Sequence, residues 1–252
     1  MKKTLFTILL IAACSVTQAQ EISAEQIVAN YTEAIGGMEA WSKIDNMVMT
    51  ASTSMRGMDF PLEMIQQKDG KSITTFEFQG KEMVQEAFDG ETLWGVNFMT
   101  MKPEKSDSEL TENKKRAIGE FPDALLSYKE MGYALALEGE DNVDGVDCYK
   151  LKVEKKSQLA EGEEVDNIVY YYMDKENFIP ISMEQEVPSG PMKGQAVKVF
   201  FSDYQEVDGL YWPFSINTKY GEGFEQGVTI ESIELNKTID DSIFIFKEED
   251  EK

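Results

Sequence analysis

The sequence predicts an α+β fold that is mainly antiparallel β: an N-terminal helix, about eleven strands, and two helices inserted after the first half. Three observations carry this. Asp-Gly pairs recur at 69–70, 89–90, 144–145 and 208–209, each between apolar runs. Asp tolerates a positive φ and Gly takes one at no steric cost, so each pair reads as a tight turn between strands. Between the turns apolar and polar residues alternate, most cleanly at Leu210, Trp212, Phe214 and Ile216, the period of a half-buried strand. Helical periodicity is confined to the N-terminal region and to 113–131.

The first segment, 1–19, reads as an export signal. Lys2 and Lys3 precede the apolar run Leu5 to Ala13, and Thr17-Gln18-Ala19 offers a cleavage site. The run is too short to span a bilayer permanently, and no other segment is as long as a membrane span requires. A second reading stays open: Ile11-Ala12-Ala13-Cys14 resembles a lipobox, which would leave the protein lipid-anchored through Cys14. Residues 20–252 then form a single domain, since 252 residues suit one sizeable β domain.

Ser23 and Gln26 have capping-box spacing with Ile22 as the staple residue, and Ile27, Val28, Tyr31, Ala34 and Ile35 form one helical face. Gly36-Gly37 ends that helix, and Met38 to Ile44, with Trp41, reads as a further short helical piece. Met47, Met49 and Ala51 begin a strand meander. Phe60, Leu62 and Met64, then Phe76 and Phe78, then Met83 to Phe88 continue it through the turn at Asp89-Gly90. Beyond that turn Trp94, Val96 and Phe98 share one face. Lys102 to Glu112 reads as a charged loop, and Asn113 to Phe121 and Pro122 to Met131 as two short helices, with Pro122 in a first turn. Strands resume at Tyr133 to Leu137 and at Tyr149, Leu151 and Val153, followed by a charged loop from Lys155 to Glu164. Ile168 to Met173 is apolar on both faces, so both sides need cover. Ile179, Ile181 and Met183, then Val197, Val199 and Phe201, alternate cleanly. Val228 and Ile230 change face relative to Ile233 and Leu235, which predicts a bulge. Ile243 to Phe246 reads as a short last strand before an acidic tail.

Composition excludes several function classes. The chain has 24 Lys+Arg against 47 Asp+Glu, a net charge of −23, or −25 once the two signal lysines are removed. That field repels phosphates, so no nucleic-acid partner is expected. There is no histidine, which removes the commonest general base and metal ligand. The residues show no catalytic constellation, and the expectation is a non-enzyme without cofactor or metal. Glu138-Gly139-Glu140-Asp141 and Glu161-Gly162-Glu163-Glu164 lack a Ca²⁺-loop pattern and read as solvated loops. Met47/Met49 and Met99/Met101 have the spacing of Cu(I) pairs but lack His or Cys support. Cys148 is left without an internal partner after export and reads as a small strand residue.

Several stretches together resemble the outer-membrane lipoprotein-sorting proteins, the LolA-like superfamily of Gram-negative bacteria. They are the Gly36-Gly37 helix end, Phe88-Asp89-Gly90-Glu91-Thr92-Leu93-Trp94, the helices near 113–131, Asp144-Gly145-Val146-Asp147-Cys148-Tyr149-Lys150-Leu151 and Asp240-Asp241-Ser242-Ile243-Phe244. The resemblance implies an unclosed β-barrel whose helices form a lid, with a hydrophobic cavity for acyl chains. It also implies a periplasmic carrier, a chaperone in lipoprotein transport. In the carriers an arginine before the central hairpin holds the lid; the comparable stretch here, Gln66 to Lys71, has none, and Arg56 and Arg116 stand elsewhere.

The residues expected to line the cavity are Met49, Met64, Phe78, Trp94, Phe98, Tyr149, Ile181, Met183, Trp212 and Phe214. Core packing is the alternative for each, because core and lining residues share a face on an open barrel. Methionine abundance suits a ligand of variable shape. The expected partner is an acyl lipid or a lipoprotein, bound by a monomer. The alternative is an envelope protein-interaction module that meets a basic protein partner through its acidic surface.

Overall fold

The computed structural model describes residues 22–55, 58–221 and 223–248. The expected export segment with Cys14, and Arg56, lie outside the described residues. The first elements among the described residues are two helices, α1 (Ala24–Ala34) and α2 (Met38–Trp41). The first strands are β1 (Asn46–Met55), β2 (Met58–Gln67), β3 (Ser72–Phe78), β4 (Lys81–Phe88), β5 (Leu93–Asn97) and β6 (Lys102–Lys105). Helices α3 (Ser108–Arg116) and α4 (Ala124–Met131) interrupt the meander. It resumes with β7 (Ala134–Val143), β8 (Val146–Glu154), β9 (Gln158–Ala160), β10 (Glu163–Val165), β11 (Ile168–Asp174) and β12 (Pro180–Glu186). The last strands are β13 (Ala196–Val207), β14 (Leu210–Tyr220) and β15 (Phe224–Leu235).

Thirteen of these strands form one antiparallel sheet, in the order β6-β5-β4-β3-β2-β1-β15-β14-β13-β12-β11-β8-β7. The pairing of β1 with β15 joins the two halves, and β6 and β7 remain as edges, so the barrel is unclosed. The small hairpin β9–β10 stands apart. Two-residue turns at Asp144-Gly145 and Asp208-Gly209 have positive φ at both positions, as a type I′ hairpin turn requires.

The sheet has two apolar faces. On the inner face α1 and α4 pack against the second half, with Ile27, Tyr31, Leu125, Leu151, Val153 and Met173 in one buried cluster. The predicted capping box holds the start of α1: Gln26 N–H donates to Ser23 Oγ, and Ser23 N–H donates to Gln26 Oε1. At its end Gly36 takes φ +111°, and a Cβ there would sit 2.4 Å from the Gly209 carbonyl oxygen. Only glycine lets the helix end approach the β13–β14 hairpin this closely. Further along the inner face Met49, Ala51, Leu62, Phe214, Ile230 and Ile233 form a second cluster. The predicted bulge is present where Thr50 pairs with Ser232 and Ala51 with Ile230, leaving Glu231 unmatched.

The outer face of the first half is also covered. Ile65, Ile73, Ala87 and Trp94 pack beneath Phe244, which is fully buried. Lys71 pairs with Asp241 at 2.7 Å and with Asp69 at 2.8 Å, fastening this C-terminal segment. Asp241 is therefore the first cause of the raised Lys71 pKa, with Asp69 second.

Several expectations need correction. The strands number fifteen among the described residues rather than about eleven. β6 lies in the expected charged loop 102–112, and β9 and β10 lie in the expected loop 155–164. Edge and hairpin strands satisfy their backbones without burying an apolar row, so periodicity misses them. Helix α3 starts earlier than expected because Asp107 caps it, accepting from Leu110 N–H at 2.8 Å. Asp123 caps α4, so Pro122 precedes the helix rather than opening it. Glu138 to Asp141 lies within β7, where the register with β8 shifts. Ile243 to Phe246 forms no strand: a 3₁₀ turn, Asp241–Ile243, leads into it, and Phe244 is fully buried while Ile243 and Ile245 are exposed.

Candidate lipid-binding groove

No helix residue lines the inner face around Phe60, Phe76 and Phe78, and a groove of about 490 Å³ opens there. Its position follows from sheet register. Thr53, Phe60, Leu62, Phe76 and Phe78 come from β1, β2 and β3, where Phe60 pairs with Thr53 and Phe76 with Leu62. Directly paired residues of an antiparallel sheet share a face. Phe98 and Met101 come from the β5–β6 turn, and Phe224 and Gln226 from β15. Five phenylalanines thus converge on one hollow. The Phe60 and Phe78 rings stack at 6.4 Å, and Phe76 and Phe98 lie 5.7 Å apart.

The polar lining residues partly satisfy one another. Thr53 Oγ1 donates to the Gly227 carbonyl at 2.8 Å and accepts from Gln226 Nε2 at 3.3 Å. No titratable side chain lines the groove among the described residues. Its chemistry is burial of apolar surface, with no acid or base to move a proton. Its volume falls within the range of small-molecule pockets, and its mouth is apolar, with Phe98 63% and Phe224 48% exposed.

The structure brings some of the expected lining residues together and separates others. Phe78 and Phe98 line the groove. Met49 and Phe214 are buried in the cluster beneath it, sharing Leu62, and Met64 packs against that cluster. Met183 and Trp212 line a smaller second cavity instead. Tyr149 packs against the helix-covered core and stacks on Phe178 at 6.2 Å, while Ile181 is half-buried in β12. Trp94 lies on the outer face, donating its indole N–H to the Phe244 carbonyl at 2.7 Å.

Trp94 and Phe98 part company because β5 ends at Asn97. The Asn97 side chain accepts from the Met99 N–H at 2.8 Å and turns the chain, so Phe98 leaves the Trp94 row. Phe60, Leu62, Phe76 and Phe224 were not anticipated as lining residues. The alternation at 60–64 and 76–78 carried a signal for the first three. Phe224 follows a glycine-rich turn and had none.

Away from the groove, α4 is core: Leu125 is buried and Asp123 accepts from the Tyr31 hydroxyl at 2.7 Å. Helix α3 buries no residue and is held by polar contacts. Lys114 reaches Glu86, Lys115 reaches Glu91, and Arg116 reaches Glu164 at 2.7 Å. Among the described residues no group of three metal-ligating side chains stands together, and no helix is long and apolar enough to cross a membrane.

An open antiparallel sheet that wraps helices and leaves an apolar hollow is the architecture of the LolA-like fold, and this chain has that fold. A LolA superfamily protein from Nitrosomonas europaea matches with a TM-score of 0.56 at 15% identity, over 89% of this chain and 98% of that one. A protein of the DUF1329 family from Desulfovibrio piger matches with a TM-score of 0.55 at 16% identity, over 88% and 97%. A domain assigned to outer membrane lipoprotein sorting, from Vibrio parahaemolyticus, matches with a TM-score of 0.54 at 10% identity, over 88% and 97%. No family model and no curated protein matches the sequence.

Proposed function

We propose that the protein is a non-enzymatic carrier of the cell envelope that holds the acyl chain of a lipid or lipoprotein in the phenylalanine-lined groove. The observation that carries this reading is the open, apolar hollow of about 490 Å³, with no titratable lining group among the described residues. Each methylene buried there contributes roughly 0.8 kcal/mol, so a long chain binds without any polar anchor. The lipoprotein-sorting domain and the LolA superfamily protein share the fold and point in the same direction. Export to the periplasm through residues 1–19 belongs to the same proposal, and N-terminal sequencing of protein from the envelope tests it.

The primary test is mass spectrometry of organic extracts from protein isolated out of its own envelope. A stoichiometric acyl lipid or lipopeptide is expected. An empty protein that also fails to bind a fluorescent fatty acid would overturn the carrier reading. Phe76→Asp places a charge in the groove wall and should abolish binding of that probe.

A further inference from the structure

A second cavity, of about 150 Å³, lies at the head of α4 and shares no lining residue with the groove. Its walls include Tyr31 from α1, Asp123 at the start of α4, Tyr171 from β11, Tyr204 from β13, and Tyr211 and Trp212 from β14. We propose that this cavity is a binding site for a methylated ammonium group, seated among the aromatic rings and neutralised by Asp123.

The wall chemistry selects the charge. It combines four tyrosines, a tryptophan and one carboxylate, and no Lys or Arg is among the residues that line it. Aromatic rings attract cations through their quadrupoles, and more strongly where water is excluded. Asp123 has acceptor capacity to spare. One oxygen receives Leu126 N–H at 2.8 Å as the helix cap, and the other receives the Tyr31 hydroxyl at 2.7 Å. An ionised carboxylate has about four acceptor sites. Burial raises the Asp123 pKa, and the nearby charge of Glu120 acts in the same direction. Tyr31, Tyr171 and Tyr204 are also raised, first by burial and then by the Asp123 charge. A positive charge in the cavity would favour the ionised form of Asp123, which burial and the Glu120 charge disfavour. The chain's net charge of −23 favours arrival of a cation.

The same walls select against other cations. A Ca²⁺ ion needs six or more oxygen ligands, and this cavity offers one carboxylate beside Met183 and Phe201. A primary ammonium brings three N–H donors that are strongly hydrated in water, and it loses that hydration on entering a ring-lined cavity. A methylated ammonium brings none and presents apolar methyls. The group can arrive free or on a lipid headgroup.

The test is titration calorimetry of the full chain with tetramethylammonium chloride, choline chloride and dihexanoyl phosphatidylcholine below its micelle concentration. The control is dimethylbutanol, in which carbon replaces the choline nitrogen. Saturable binding of at least one cation is expected, with the neutral isostere roughly tenfold weaker or worse. Asp123→Asn keeps a helix-capping side chain and should weaken the cation to the level of the isostere. Binding of the free ions assigns a small-molecule site, and binding of the phosphatidylcholine alone assigns a headgroup site; both support the proposal. Absence of saturation by all three, or equal binding of the isostere, overturns it. Should Asp123→Asn unfold, the isostere comparison on the unaltered chain still decides. Failure of the groove to bind acyl chains leaves this result unaffected.

Discussion

Trp94 and Phe98 stand four residues apart on opposite faces of the sheet, so charge or truncation at each should have separable effects. Trp94 is 7% exposed and hydrogen-bonded to the Phe244 carbonyl at 2.7 Å. Trp94→Phe removes that bond and part of the packing, and should cost about 1–2 kcal/mol in urea unfolding. Binding of a fluorescent fatty acid should not change. Phe98 is 63% exposed at the groove mouth. Phe98→Asp should change stability by less than about 0.5 kcal/mol while weakening the fatty acid roughly tenfold. If Trp94→Phe impaired binding and Phe98→Asp did not, the groove would be misplaced. Strand alternation alone set the two on one face. The departure came from Asn97, whose side chain takes up the Met99 N–H and ends the strand, a local hydrogen bond that hydrophobic patterning cannot register.

Helices α3 and α4 follow one another in sequence but are held by different forces. Leu125 and Leu126 of α4 are buried in the inner-face core. Helix α3 buries nothing and depends on ion pairs and on contacts such as Asn113 Nδ2–H to the Leu159 carbonyl at 2.8 Å. Exposed ion pairs contribute little each, so α3 should open far more readily than α4. Hydrogen exchange should show α3 amides exchanging well before those of α4. Acid should sharpen the contrast. Arg116, then Ser157, hold the Glu164 carboxyl at about 2, below its ordinary value of 4.5. A carboxyl lowered on folding contributes stability above its unfolded pKa and loses it as pH falls through the folded one. The docking of α3 should therefore weaken between pH 4.5 and 2, with Arg116→Ala reproducing the effect at neutral pH. Equal exchange in both helices would show that α3 is held by something beyond these contacts. The sequence showed that helices interrupt the strands here. Their bounds were set by the Asp107 and Asp123 caps: the first stands in a charged run where periodicity is weak, and the second follows Pro122, which suits a first helical turn equally well.

At the scale of the whole molecule, the hairpin chain was legible because each turn is written locally, in Asp-Gly pairs and in period-2 runs. Strand order was not legible. The sheet is joined by β1 and β15, which pair Met47 with Leu235 across most of the chain, and no local signal announces such a partner. The groove is equally non-local: Phe60 and Phe224 meet only because β1 lies between their strands. Charge, by contrast, is visible in composition and acts on the entire fold. The chain carries 47 acidic and 24 basic residues, so the compact state repels itself. Opposing this are exposed pairs such as Lys43–Glu39 and Lys193–Glu161, which salt also screens. The imbalance should win, because it sums over the molecule at distances beyond contact, whereas each exposed pair is worth only about 0–1 kcal/mol. At about 0.01 M salt the screening length is about 30 Å, and near 0.15 M it is about 8 Å. Raising sodium chloride across that interval should therefore raise the Tm by several degrees. A fall in Tm would mean that the ion pairs, including those that fasten α3 and the C-terminal segment, outweigh the repulsion that the composition imposes.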